Sequence, residues 1–229
     1  MKRVIIFANG ELPDINKARS LLQKEDHIIC ADGGTRHVLA LGIQPNLIIG
    51  DMDSVEKGVL RKFKDNGVNI ELYPHNKNET DLELAISHAI ELNPKQIIII
   101  AALGGRLDQT LANISLLSDL RLSTLRHGSQ RPDVLSGGQA FDTRLDDGVE
   151  EIFFCRDQVE VHGRIGDIVS LIPWQGTAFK VQTKNLKWVL HKETLYPAKT
   201  RGISNEMTDD IASISIASGL LLIVHRRQS

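Results

Sequence analysis

Cysteine is nearly absent from this chain: Cys30 and Cys155 are the two in 229 residues. They stand far apart, each inside an apolar run, so both read as small packed hydrophobes and neither a disulfide framework nor a thiolate metal site is indicated. Such usage fits a reducing cytoplasm. An excess of positive charge is missing too. The formal net charge is -2 and basic residues cluster only in the short run His225 to Arg227, so nucleic acid is not an expected partner. The N-terminal MKRVIIFANG offers only about five apolar residues before Asn9 and Gly10, too few for a signal-peptide core, and reads as a first buried strand of a protein without a membrane segment. There is no GxxxxGK[ST], no HRD and DFG pair and no GxGxxG. P-loop, protein-kinase and dinucleotide-oxidoreductase readings therefore fail.

What is present has the balance of an ordinary globular protein, with 41% hydrophobic and 24% charged residues. The length suits one medium domain and one small one. The stretch that organises the first is NLIIGDMDS, Asn46 to Ser54, where an apolar run breaks at Gly50 and delivers Asp51 and Asp53. In an extended turn, residues i and i+2 point the same way, so the two carboxylates are placed to share a hard cation. An isolated Asp-x-Asp more often marks a solvated turn.

The same grammar recurs around it. Val4 to Ala8 is a strand, Asp14 to Gln23 a helix and His27 to Ala31 a strand ending at Asp32-Gly33-Gly34, where two glycines permit close approach of a ligand or make a plain turn. Val59 to Asn66 reads as a helix and Val68 to Leu72 as a strand. Thr80 and Glu83 form a capping box for a helix carrying Leu82, Ile86, Ala89 and Ile90, and Asp81 falls in its first turn, where the helix dipole alone favours an acid. Ile97 to Leu103 reads as the central strand and ends in Gly104-Gly105-Arg106-Leu107-Asp108. Backbone N–H groups and a guanidinium there suit phosphate oxygens, and the carboxylate suits a cation. Strands of a parallel sheet end along one edge, so Asp32, Asp51, Asp53 and Asp108 are expected in one crevice with Asp81 near it. A divalent cation with a polyphosphate would offset their mutual repulsion.

From Arg121 to Gly148 no period is sustained, and the segment reads as a linker with one strand that cannot be placed. Beyond it come short strands and turns: EEIFFCR, QVEVHG, DIVSLIPW, AFKVQT, LKWVL, ASISIAS and LLLIVHR. The expected fold is an α/β domain, residues 1–130, with a Rossmann-like parallel sheet and helices on both faces. An antiparallel β-sandwich follows over residues 145–229.

ADGGTRHVLALGI, NLIIGDMDSV, NKNETDLELAI, ALGGRLDQTLANISLL, NLKWVL and TRGISNE, in this order, resemble the thiamine pyrophosphokinase family. The resemblance implies a homodimeric cytoplasmic enzyme that uses Mg²⁺ to transfer the terminal diphosphate of ATP to the hydroxyl of thiamine. It implies that Asp51, Asp53 and Asp81 hold the metal and triphosphate, and that Arg106 contacts the phosphates. Asp32, Gly33, Gly34, Thr80, Gly104 and Gly105 would form the nucleotide site, with Asp32 and Asp108 in the active crevice. Ser204 and Asn205 would hold thiamine across the dimer interface. The acceptor's base would be Asp81 or Asp108. Two departures stand out: Asn78 occupies a position commonly acidic in the family, and residues 121–145 do not match its usual strand. The alternatives are a pyrophosphokinase of the same fold acting on another alcohol such as a pterin, and a nucleotide-binding sensor without catalysis.

Overall fold

The computed structural model describes residues 3–119 and 142–228. They fall into two compact units, one holding the residues up to Leu116 together with Leu145–Gly148, the other beginning at Leu117 and holding Val149 onward.

In the first unit strands alternate with helices: β1 (Arg3–Phe7), α1 (Ile15–Ser20), β2 (His27–Ala31), α2 (Thr35–Leu41), β3 (Leu47–Gly50), α3 (Lys57–Asp65), β4 (Asn69–Leu72), α4 (Asp81–Glu91), β5 (Gln96–Ile100) and α5 (Leu107–Leu116). Caps fix several boundaries. Asp14 accepts from the N–H groups of Asn16 and Lys17 to start α1, Thr80 accepts from Glu83 N–H to start α4, and Gly42 at φ 65° closes α2. The strands pair in parallel in the order β5-β1-β2-β3-β4. Both pleat faces are covered. Ile5, Phe7, Cys30, Ile48, Ile98 and Ile100 share one cluster with Ala18 of α1, Val38 and Leu41 of α2 and Phe63 of α3. Helix α4 buries Leu82, Ala85, Ile86 and Ala89 and lies against β1, β2 and β3. Each buried Ile or Phe contributes roughly 1.5–3 kcal/mol relative to exposure, so the strands are held by coverage from two sides.

The run at β5 is the most hydrophobic, and β5 is an interior strand, flanked by β1 and by β6 (Asp142–Asp146) in the sheet order; four successive isoleucines report burial on both faces.

The second unit contains β7 (Glu150–Cys155), β8 (Gln158–His162), β9 (Ile168–Pro173), β10 (Ala178–Lys184), β11 (Glu193–Leu195), β12 (Asn205–Glu206), β13 (Ile211–Ser215) and β14 (Leu221–Arg226). Every pairing among them is antiparallel, in the runs β12-β9-β14-β7 and β11-β10-β13-β8. Val161, Val169, Val181, Leu171, Ile214 and Ile223 pack between them, which is the expected sandwich. Strand β6 (Asp142–Asp146) falls in the segment expected to be a linker with one unplaced strand, and the dividing point between units falls within it; most of the rest of that linker lies outside the described residues. LKWVL is not a strand. The side chain of Asn205 takes the hydrogen bonds a strand neighbour would make: its Oδ1 accepts from Trp188 N–H at 3.0 Å and its Nδ2 donates to Trp188 O at 2.7 Å. No helix among the described residues is long and apolar enough to cross a membrane.

Candidate active site

Where β1, β2, β3 and β5 end, the first unit opens into a cleft of about 790 Å³ lined by Ala8 to Glu11, Asp32, Asp51, Asp53, Asp81 and Gly104 to Arg106, among others. Successive strands step from β1 away to β4 and then return to β5 on the other side of β1. The crevice of such a reversal is where open α/β sheets take ligands. The chain leaves these strand ends through left-handed backbone at residues that are not glycine: Asp32 (φ 41°), Met52 (φ 63°) and Ala101 (φ 56°). Each such residue costs of order 1–3 kcal/mol and persists only where surrounding packing enforces it.

Three carboxylates converge. Asp32, Asp51 and Asp81 each present an oxygen within 4.8 Å of the others. Glycine at position 50 makes the convergence possible: a Cβ there would lie 3.0 Å from Asp81 Cγ and 3.1 Å from Asp32 Cβ, at a φ of 145°. Asp32 is only 6% exposed, and its Oδ1 finds no hydrogen-bond partner among the described residues. A buried, unpartnered carboxylate oxygen facing two more carboxylates is costly without a counter-charge. All-oxygen donors of this kind fit a hard divalent cation.

The charges are graded. Asp81 is pushed above the usual carboxylate range by burial first, with the like charges of Asp51 and Asp32 adding, while Lys77 opposes the shift. Asp51 is held below that range, chiefly by its hydrogen bond from His75, with Asp53 N–H second. Lys77 Nζ lies 2.9 Å from Asp81 Oδ1. Burial lowers its own pKa, but the bond to Asp81 and the charges of Asp81, Asp51 and Asp32 raise it overall. Neighbouring carboxyls with pKa values pushed apart are the arrangement that separates a proton acceptor from a permanently ionised group.

The residues singled out in the sequence are distributed unequally. Asp51 belongs to the convergent group with Asp81 and Asp32, whereas Asp53 does not share a group with Asp81 among the described residues. Thr80, Gly104, Gly105 and Arg106 line the cleft. Gly33 and Gly34 are buried, and the close approach they permit is to the chain itself. A Cβ on Gly34 would meet Phe7 O at 2.0 Å and one on Gly33 the Asn9 side chain at 2.4 Å. Asp108 lies outside the cleft lining and grips Arg106 through Nε (3.1 Å) and Nη2. This lowers the Asp108 carboxyl and raises the guanidinium. Ser204 has left-handed backbone (φ 56°) and donates its N–H to Ser170 Oγ at 3.0 Å. Asn205 is 3% exposed with its amide turned onto Trp188, and Trp188 is 50% exposed. Sequence reasoning missed His75 and gave Lys77 no role in the site. Both lie between β4 and α4, where no period marks which side chains turn inward.

Two family models match the chain: "Thiamin pyrophosphokinase, catalytic domain" over residues 18–126 and "Thiamin pyrophosphokinase, vitamin B1 binding domain" over residues 157–221. The chain is 25% identical over 229 residues to thiamine pyrophosphokinase of Bacillus subtilis, with 98% of each covered. In fold it resembles the crystal structure of the Bacillus subtilis thiamine pyrophosphokinase (TM-score 0.83, 24% identity, 100% of both chains). It also resembles thiamin pyrophosphokinase from Candida albicans (TM-score 0.77, 15% identity, 98% of this chain and 89% of that one).

Proposed function

Because the chain belongs to the thiamin pyrophosphokinase family, we propose that it transfers the terminal diphosphate of ATP to the hydroxyl of thiamine with Mg²⁺, releasing thiamine diphosphate and AMP. The observation that carries the reading is the convergence of Asp32, Asp51 and Asp81 at one strand-end cleft, with one carboxylate oxygen buried and unpartnered. The cleft belongs to the unit matched by the catalytic family model.

Transfer of a diphosphate requires the acceptor oxygen to approach the β-phosphorus in line, so negative charge builds on the oxygen between the α- and β-phosphates. Asp32, Asp51 and Asp81 would hold Mg²⁺, whose chemistry is to neutralise that charge and orient the phosphate chain. Asp53 stands at the mouth of the same turn. Gly104 and Gly105, at φ 80° and 66°, expose backbone N–H groups beside Arg106, which would exchange its Asp108 partner for the oxygens of the moving group. The candidate bases are Asp81 and Asp108: Arg106 holds Asp108 low, and Asp81, raised by burial, would give up that basicity as a ligand of Mg²⁺. On the same reading the protein is a cytoplasmic homodimer in which Ser204 and Asn205 help hold thiamine near the interface, Asn205 by fixing Trp188.

Incubating the protein with ATP, Mg²⁺ and thiamine and identifying the products tests the proposal. AMP with thiamine diphosphate is expected. ADP with thiamine monophosphate would mean that the cations are aimed at the γ-phosphorus and would overturn it.

A further inference from the structure

The second unit buries an ionic cluster that takes no part in the chemistry above. His225 in β14 is fully buried, with Nδ1 3.2 Å from Glu151 Oε2 and Nε2 3.0 Å from Asp167 Oδ2, so the ring is engaged at both ends. Glu151 also accepts from Arg144 Nη1 at 2.6 Å. Asp167 is buried as well, and each of its oxygens is taken. Oδ2 accepts a second bond from Arg164 N–H (3.0 Å), Oδ1 accepts from Gln228 N–H (2.8 Å), and the backbone carbonyl accepts from Met207 N–H (2.8 Å). The carbonyl of Met207 in turn accepts from Gly166 N–H at 2.9 Å. No side chain fits at position 163, where a Cβ would lie 2.6 Å from Asp167 Oδ2, 2.8 Å from His225 Nε2 and 2.9 Å from Met207 Sδ. Replacing a buried ionic set by apolar side chains of similar volume is often neutral or stabilising, so stability is a weak reason for keeping one. Its best-attested use is to fix the register of one element against another.

A register here needs fixing. Strand β12 pairs with β9 only through Asn205 opposite Val169 and Glu206 opposite Ile168, and it stands at the end of its sheet order. A slip of one residue along a strand turns its side chains to the other face, and here it would take the Asn205 amide off the backbone of Trp188. Asp167 and Met207 are the residues immediately beside this short ladder, and the bonds Met207 N–H to Asp167 O and Gly166 N–H to Met207 O close it. We propose that His225 is a positioning residue for thiamine binding: by holding Asp167 it pins Met207, sets the register of β12 on β9 and so aims Asn205 and Trp188. The register rests on the geometry of this unit alone; its consequence for thiamine rests on the role given to Ser204 and Asn205 above.

Two measurements on the full-length protein separate these parts. Amide hydrogen exchange needs no substrate. In the unaltered protein the Met207 amide should exchange with the protected amides of β14, although it adjoins a ladder of two pairs at a sheet end; exchange as fast as in exposed turns would overturn the pin. His225→Leu should quicken Met207 exchange roughly tenfold or more relative to Ile214 in β13, about the effect of losing one hydrogen bond to a charged group. In steady-state kinetics the same variant should raise the KM for thiamine by about the same factor and leave the KM for ATP unchanged. His225→Gln, which keeps an amide donor, should recover part of the thiamine KM. A merely structural loss lowers the active fraction, and with it the apparent kcat, without moving one KM alone. Quickened Met207 exchange with an unchanged thiamine KM, or both KM values rising together, would overturn the positioning role. If His225→Leu does not fold, His225→Gln and the exchange of the unaltered protein carry the test. An unaltered protein inactive toward thiamine would instead remove the proposed reaction, and the Met207 exchange would still be read.

Discussion

Lys77 Nζ and Asp81 Oδ1 stand 2.9 Å apart in the cleft, and among the described residues Lys77 works against the burial and like charge raising the Asp81 carboxyl. Removing the lysine therefore raises the Asp81 pKa further. A cation is held by the ionised carboxylate, so at subsaturating Mg²⁺ Lys77→Met should move the acid limb of the kcat/KM profile to higher pH. Profiles recorded at one fixed, subsaturating Mg²⁺ concentration check this; an acid limb that stays in place removes Asp81 from the metal site.

Asp51 stands in two groups of convergent donor atoms, an inner one with Asp32 and Asp81 and an outer one with Asp53 and His75, and Asp53 only in the outer. Asp51→Asn should raise the Mg²⁺ concentration needed for half-maximal rate by at least about 10- to 100-fold, and Asp53→Asn should lower activity while leaving the fold intact, with the smaller effect on Mg²⁺. Metal titrations of the two variants side by side give the order; the reverse order would place Mg²⁺ at the outer group.

Arg106 is exposed and held by Asp108. If it meets the moving phosphoryl oxygens more strongly in the transition state than in the ground state, Arg106→Ala should cost roughly 10²- to 10³-fold in kcat. Asp108→Asn frees the guanidinium and should cost less. Equal losses in the two variants would show that Asp108 acts in its own right.

In the second unit Asn205→Ala would strand the backbone N–H and C=O of Trp188, costing roughly 1–3 kcal/mol. It should lower Tm and raise the KM for thiamine much more than that for ATP. A thiamine KM unchanged in a protein of reduced Tm would confine Asn205 to a structural role.

Acid should unfasten the same unit at a particular place. His225, fully buried, lies between Glu151 Oε2 (3.2 Å) and Asp167 Oδ2 (3.0 Å). Burial alone would raise the Glu151 carboxyl, but the His225 hydrogen bond and the Arg144 charge take it from 4.5 down to about 2. A depressed folded-state pKa gives stability that is complete above 4.5 and lost as pH falls through about 2, on the order of 3 kcal/mol. Denaturant melts between these values should show a shallower pH slope for Glu151→Gln than for the unaltered protein, whatever their absolute stabilities.

Much of this was readable in advance because burial imposes periods. His27–Ala31 matches its expected strand residue for residue and Thr80 caps α4. The cleft followed from where apolar runs stop. Asp51 and Asp53 do present donor atoms to one another, with His75; what the turn pattern did not show is that left-handed Met52 (φ 63°) leaves the side chain of Asp53 59% exposed and that of Asp51 12% exposed, and that Asp32 converges with Asp51 and Asp81. His75 and Lys77 lie in a loop without periodicity, so only three-dimensional convergence reveals them. LKWVL misled because its buried Leu186 and Leu190 have the look of a strand, while the competing amide of Asn205 comes from residues far along the chain.

The absence of a side chain at position 50 makes β3 a point where sequence variation would be misjudged. By surface accessibility the site is interior, by strand pattern a small apolar residue would look harmless, and no substrate contact flags it. Yet the first methyl group added would press on Asp81 and Asp32 together, at a backbone φ of 145° that is strained for any side chain, so a Gly50→Ala allele should lose activity and stability at once.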